Sequence, residues 1–272
     1  MGPLAKRIAV AVVAVPLLLA LTFWNQTLPF KIMAVAALLL ALQELLRMAS
    51  GKRNRPIQWL SHLCLLLVLL PAFDPAVLFF REREAVVLVL LLLPLGFLFS
   101  DRPAAEMLPA VSLSYFSTLY FGLLGGYFLL LRGMHRGAWL LLFVFVATWA
   151  YDTGGYFVGR FLGRHKMTPQ TSPQKSWEGA FGGLVFSLAG LYLLWFFFPV
   201  YRQIFRVWDV AVLACLMSLF GQLGDLVESM IKRSLSAKDS GSFFPGHGGV
   251  FDRIDSLLFN APILFYYLTW RS

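Results

Sequence analysis

Charge is scarce in this chain. Only 14% of its 272 residues are Asp, Glu, Lys or Arg, and 59% are hydrophobic, whereas an ordinary soluble domain carries about 25% charged residues. That balance excludes a water-soluble fold, because the polar groups are too few to cover the apolar ones. Cysteine is nearly absent as well. Cys64 and Cys215 each lie within an apolar run and lack metal-ligand spacing, which excludes a Cys/His zinc site and leaves both thiols as packing groups. There is no GxxxxGK[ST] phosphate loop and no nucleophile-elbow serine. Long hydrophilic segments, low-complexity linkers and internal repeats are also missing, so one membrane domain is the simplest description.

Apolar runs fill the chain almost from end to end. A helix crossing hydrocarbon needs roughly 20 mostly apolar residues, and the runs predict an all-α, polytopic membrane protein with about nine spans: about 8–24, 30–48, 57–73, 84–100, 108–131, 137–159, 177–199, 208–231 and 254–270. Lys6 and Arg7 before the first run resemble a signal peptide, but no small-residue cleavage site precedes Trp24, so this run is read as the first span. The third and fourth spans are the least regular. There Asp74 and Pro75 cut off a short apolar piece, Ala76 to Phe80, from the cluster Arg81, Glu82, Arg83, Glu84.

The net charge of +9 does not point to nucleic acid, because the cations sit in short loops between spans. Lys52, Arg53 and Arg55, then Arg164, Lys166 and Lys175, then Lys232, Arg233 and Lys238 occupy the even-numbered loops. The odd-numbered loops are balanced or hold a pair such as Arg132 with Arg136. By the positive-inside rule the N-terminus and the even loops face the cytoplasm and Ser272 lies outside. The halves differ in character. Residues 1–135 are Leu/Val/Ala-rich, nearly free of buried charge and expected to be mostly structural; residues 136–272 carry acids and bases near span ends and should hold the catalytic spans and loops.

Charged groups at the edge of hydrocarbon are costly unless paired or hydrated, so they mark function. Four clusters qualify. Tyr151 to Arg160 contains Asp152, which pairing with Arg160 or Lys175 would explain equally well. Ser172 to Gly179 leads into the seventh span, where Ser176 is a natural N-cap and Glu178 suits the helix N-terminus, leaving Lys175 to meet an anion. Asp225, Glu228, Ser229 and Lys232 share one helical face; an internal Glu228–Lys232 pair would account for two of them but not for Asp225. The last cluster joins Lys238 and Asp239 to the glycine-rich turn Phe244 to Gly249, and then to Asp252, Arg253 and Asp255 at the start of the ninth span. Carboxylates beside several Lys and Arg suit phosphates held through a hard divalent cation, which makes phosphoryl or nucleotidyl transfer the natural class.

The run Ser229-x-Ile231-Lys232-Arg233, then Lys238-Asp239-x-Gly241-x-x-Phe244-Pro245-x-His247-Gly248-Gly249-Val250-x-Asp252-Arg253-Ile254-Asp255, resembles position for position the signature of phosphatidate cytidylyltransferases (CDP-diacylglycerol synthases). Asp152 to Arg160, Ser172 to Gly179 and Gly224-Asp225 also resemble that family's motifs, in its order. The first 150 residues are similar only as generic spans. Departures are small: Gly155 stands where Ala is frequent, and Gln174 and Ser176 where Lys and Thr are common. The resemblance implies a reaction of CTP with phosphatidic acid giving CDP-diacylglycerol and pyrophosphate at the cytoplasmic face of the cell (inner) membrane, with Mg2+ required, a monovalent cation such as K+ in some members, and a homodimer. On this reading Asp225, Asp252 and Asp255 are metal ligands and, with Lys232, catalytic. Lys175, Arg233, Lys238, His247, Gly248, Gly249, Arg253 and Asp152 contact substrate. Other readings are an ether-lipid cytidylyltransferase, a CTP-dependent lipid-alcohol kinase and, from a different class, a cation-coupled transporter; charges clustered near one membrane face in one half disfavour the last.

Overall fold

The apolar runs fold as helices. The computed structural model describes residues 3–50, 55–74, 81–241, 243 and 248–271. In chain order the helices are α1 (Pro3–Thr22), α2 (Leu28–Ser50), α3 (Arg55–Phe73), α4 (Glu82–Leu98), α5 (Ala104–Leu119), α6 (Gly125–Gly133), α7 (Gly137–Leu162), α8 (Trp177–Phe197), the short α9 (Pro199–Ile204), α10 (Val207–Ser234) and α11 (Phe251–Arg271). A π-helical turn, Tyr120–Leu124, joins α5 to α6, so the expected span at 108–131 is continuous but locally underwound. The piece Ala76 to Phe80 lies outside the described residues, as does His247. Among the described residues, five segments are long and apolar enough to cross a membrane by length and composition: Leu28–Ala49, Ala104–Gly133, Gly137–Leu162, Trp177–Phe197 and Val207–Ser234. Their outward faces carry large apolar side chains such as Phe181, Phe196, Phe197 and Trp208, a surface that lipid covers and water does not.

The chain divides into two compact units. The first comprises Met1–Gly133 with Asp239–Asp252, and the second Met134–Lys238 with Arg253–Ser272. In the first, α2, α3, α4 and α6 pack around Leu38, Leu42, Leu65, Leu69 and Leu93, all fully buried. Arg132 is buried and donates to the carbonyls of Trp24 and Gln26, at 2.7 and 3.4 Å, satisfying backbone acceptors between α1 and α2 that no helix pairs.

In the second unit α7 and α8 form the closest pair. Small residues permit it: a Cβ on Gly182 would lie 2.4 Å from Val158, and one on Gly179 3.0 Å from the carbonyl oxygen of Gly155. Close backbone approach through small residues is the usual basis of helix association in lipid. Helices α10 and α11 run antiparallel. At one end Asp209 accepts from Tyr267 Oη at 2.8 Å and pairs with Arg271. At the other, Gly224 packs against the carbonyl of Asp255 and the ring of Phe259. Between these ends Asn260 donates to Thr148 Oγ1 of α7 at 2.9 Å. Three helices are thus registered to one another by polar side chains.

One element goes beyond the expected all-α pattern. Between α7 and α8, β1 (Lys166–Thr168) pairs antiparallel with β2 (Ser172–Ser176), matching Lys166 to Ser176 and Thr168 to Ser172. Pro173 is tolerated because a two-stranded ribbon has only edges.

Candidate active site

The hairpin delivers a cation. Strand β2 places Lys175 immediately before α8, and Ser176 then caps the helix, its Oγ accepting from Gly179 N at 3.2 Å. Glu178 holds the start of the hairpin by accepting from the backbone N–H of Arg164 and His165 at 3.1 and 3.2 Å and from His165 Nδ1 at 2.5 Å. The turn is fastened by Arg233, whose guanidinium donates to Thr171 O at 3.4 Å and Ala237 O at 3.1 Å. So constrained, Lys175 Nζ lies 2.6 Å from Asp225 Oδ2 on α10.

Asp225, Glu228 and Asp255 converge there. One carboxylate oxygen from each lies within 4.8 Å of the others, an arrangement that follows from Asp225 and Glu228 sharing a face of α10 and from Gly224 admitting the α11 backbone at Asp255. Glu228 is also paired with Lys232 Nζ at 2.6 Å and is only 1% exposed. Both sequence readings of Glu228 therefore hold at once: it makes the internal i,i+4 pair, and it joins the acidic face. Asp152 on α7 interacts electrostatically with Asp225, Lys175 and Arg253. Its alternative partner Arg160 instead donates to Tyr156 Oη at 2.6 Å. Tyr151, next in the chain to Asp152, donates from its hydroxyl to Gln222 Oε1 at 2.6 Å and so ties α7 to α10 beside the cluster.

Three close carboxylates repel one another strongly away from bulk water, and two ammonium groups only partly offset them. The donors are all oxygen, with neither thiolate nor imidazole among them. Such a set can hold a hard divalent cation.

The other expected residues are placed as follows. Lys238 is exposed just beyond α10, and Arg253 is exposed in the first turn of α11. Gly248 adopts a left-handed backbone, φ +82°, which glycine takes without strain. In the first unit, Asp252 commits its carboxylate to the loop before it, accepting from Ser240 N at 3.0 Å, Ser240 Oγ at 2.9 Å and Gly249 N at 2.7 Å. Sequence reasoning missed Glu44, a buried carboxylate of α2 that accepts from the same loop. It is one of the few buried charges in the first spans. A lone acid within Leu28–Ser50 was the available signal.

Comparison with known proteins adds an independent finding. The model of a family described as the cytidylyltransferase family matches residues 5–270. The chain is 36% identical to the phosphatidate cytidylyltransferase of Bacillus subtilis over 277 residues, covering 100% of both chains. It is 34% identical to that of Staphylococcus haemolyticus, covering 95% of this chain and 96% of the relative, and 36% identical to that of Staphylococcus aureus, covering 83% and 84%.

Proposed function

Because this chain belongs to the cytidylyltransferase family and is a nucleotidyltransferase, we propose that it transfers the cytidylyl group of CTP to phosphatidic acid, giving CDP-diacylglycerol and pyrophosphate. The carrying observation is the convergence of Asp225, Glu228 and Asp255 beside the ammonium groups of Lys175 and Lys232. The names of the full-length relatives supply the lipid substrate.

In this reaction an oxygen of the lipid phosphate bonds to the α-phosphorus of CTP, the bond from that phosphorus to the bridging oxygen breaks, and pyrophosphate departs with the electron pair. The attacking group is already anionic, so no strong general base is needed; positioning and charge neutralisation lower the barrier. Asp225, Glu228 and Asp255 would hold Mg2+, which supplies positive charge to the triphosphate when bound. Asp152 adds a fourth carboxylate at the margin of that set. Lys175, on a strand fastened at both ends, provides an ammonium to phosphate oxygens, with Lys232 and Arg253 beside it. By the motif alone, Lys238, Gly248 and Gly249 are assigned to the phosphates of CTP; within the first unit Asp252 holds Gly249 through its backbone N–H. The cation-rich loops support a cytoplasmic face for this chemistry, with lipid reaching it sideways from the bilayer.

The test is pyrophosphate release by the detergent-solubilised protein given CTP, Mg2+ and phosphatidic acid, with a lipid alcohol in parallel. Release that depends on the lipid phosphate supports the proposal. CDP formed from the alcohol would make the protein a kinase, and no turnover with any lipid would return it to the transporter reading.

A further inference from the structure

Glu44 lies within an apolar helix, far from the signature motifs in sequence. Yet its carboxylate is where the loop before α11 is attached. Val250 N donates to Oε1 at 2.9 Å, Phe251 N donates to Oε2 at 2.9 Å, and Ser240 Oγ lies 3.0 Å from Oε2. Two of these donors are the N–H groups at the start of α11, which have no partner within the helix. A carboxylate there satisfies them and also opposes the positive end of the helix dipole.

Two glycines let the backbone pack directly against these side chains. A Cβ on Gly249 would lie 2.3 Å from Glu44 Oε2 and 2.2 Å from Ser240 Oγ, and one on Gly241 would lie 2.7 Å from Glu44 Oε1. Ser240 connects two acids, because its hydroxyl is also 2.9 Å from Asp252 Oδ2. The ring of Phe251 meets Phe121 edge-on, centroids 5.0 Å apart, and Phe121 belongs to the π-helical turn. Such turns often mark functional sites. Ser240, Val250 and Phe251 are thus each held by side chains from spans that carry none of the signature.

We infer that Glu44 is a positioning residue: it anchors Ser240, Val250 and Phe251, and thereby Gly248, Gly249 and Asp252, in the shape that binds the phosphates of CTP. This rests on the cytidylyl-transfer reading above. Glutamine keeps the shape of Glu44 but turns an NH2 donor toward an N–H or O–H donor, so Glu44→Gln must release at least one contact. Ser240→Ala removes the link between the two acids while leaving Glu44 intact.

The experiment measures both variants in the full-length protein, by backbone hydrogen exchange and by turnover with CTP and phosphatidic acid. The expected result is faster exchange at the Gly249 to Asp252 amides with unchanged exchange across α7 and α8, together with a KM for CTP raised roughly tenfold, since a hydrogen bond to a charged group is worth about that factor. A merely structural role would reduce the active fraction, lowering kcat at unchanged KM. That outcome overturns the inference, as does wild-type exchange in both variants. An inactive wild type whose loop is nevertheless loosened by Glu44→Gln would sink the transfer reading and leave the anchor standing. Should Glu44→Gln not accumulate as folded protein, Ser240→Ala decides between the same results.

Discussion

Gly224→Ala adds one methyl group where α10 meets α11. The new Cβ would lie 2.8 Å from the carbonyl oxygen of Asp255 and 2.9 Å from Phe259 Cδ2. An ordinary contact is about 3.5 Å, so the helices must separate locally by ~0.7 Å. The first obstacle is backbone, which cannot swing aside as a side-chain tip can. Overpacking of this kind costs about 1–3 kcal/mol, and the gain in helix propensity on replacing glycine returns about 1 kcal/mol. Net destabilisation is therefore small. Activity should suffer more, because Asp255 is carried away from Asp225 and Glu228, and a misplacement of about 1 Å can cost a hundredfold. The expected outcome is a roughly tenfold loss of kcat with a near-normal melting temperature in detergent, from pyrophosphate release and a thermal-shift measurement on one preparation. Wild-type kcat in Gly224→Ala would refute the claim that the α10–α11 separation sets the acidic cluster.

Lys175→Met should lower kcat/KM by roughly a hundredfold, the usual loss on removing one charged group aimed at a transition state. Lys175→Arg should recover only part of it, because a planar guanidinium does not replace a compact ammonium 2.6 Å from Asp225; full recovery would show that charge alone matters there. Ser176→Ala removes the cap of α8 and should cost about 1 kcal/mol of stability, read as a lower melting temperature with kcat retained.

Much of this fold is legible in the sequence because lipid is an undemanding solvent to predict. Apolar runs of sufficient length become helices, and α7, α8 and α10 follow their expected spans within a few residues. The cap at Ser176 and the Glu228–Lys232 pair were also readable, since both are local. What escaped depends on contacts between residues far apart in the chain. The hairpin that carries Lys175 to Asp225 has only a three-residue strand on one side, too short for a periodic pattern. Asp225 and Asp255 share a face of no single helix; Gly224 brings them together, and a glycine in a span signals nothing until its neighbour is known. Glu44 is the clearest case. It stands alone in its run, while every donor that needs it is about 200 residues away in sequence. The rule that an acid in an apolar span is functional by default applied to it as fully as to Asp225.

The most direct test of the central claim is the Mg2+ dependence of pyrophosphate release in wild type, Glu228→Gln and Asp255→Asn. If Asp225, Glu228 and Asp255 hold the metal, Glu228→Gln should raise the half-saturating Mg2+ concentration at least roughly tenfold, in line with the 10–100-fold affinity losses typical of altered metal surroundings. Asp255→Asn should be nearly inactive at any attainable Mg2+ concentration. Wild-type Mg2+ dependence in both variants would contradict the account and place the metal elsewhere.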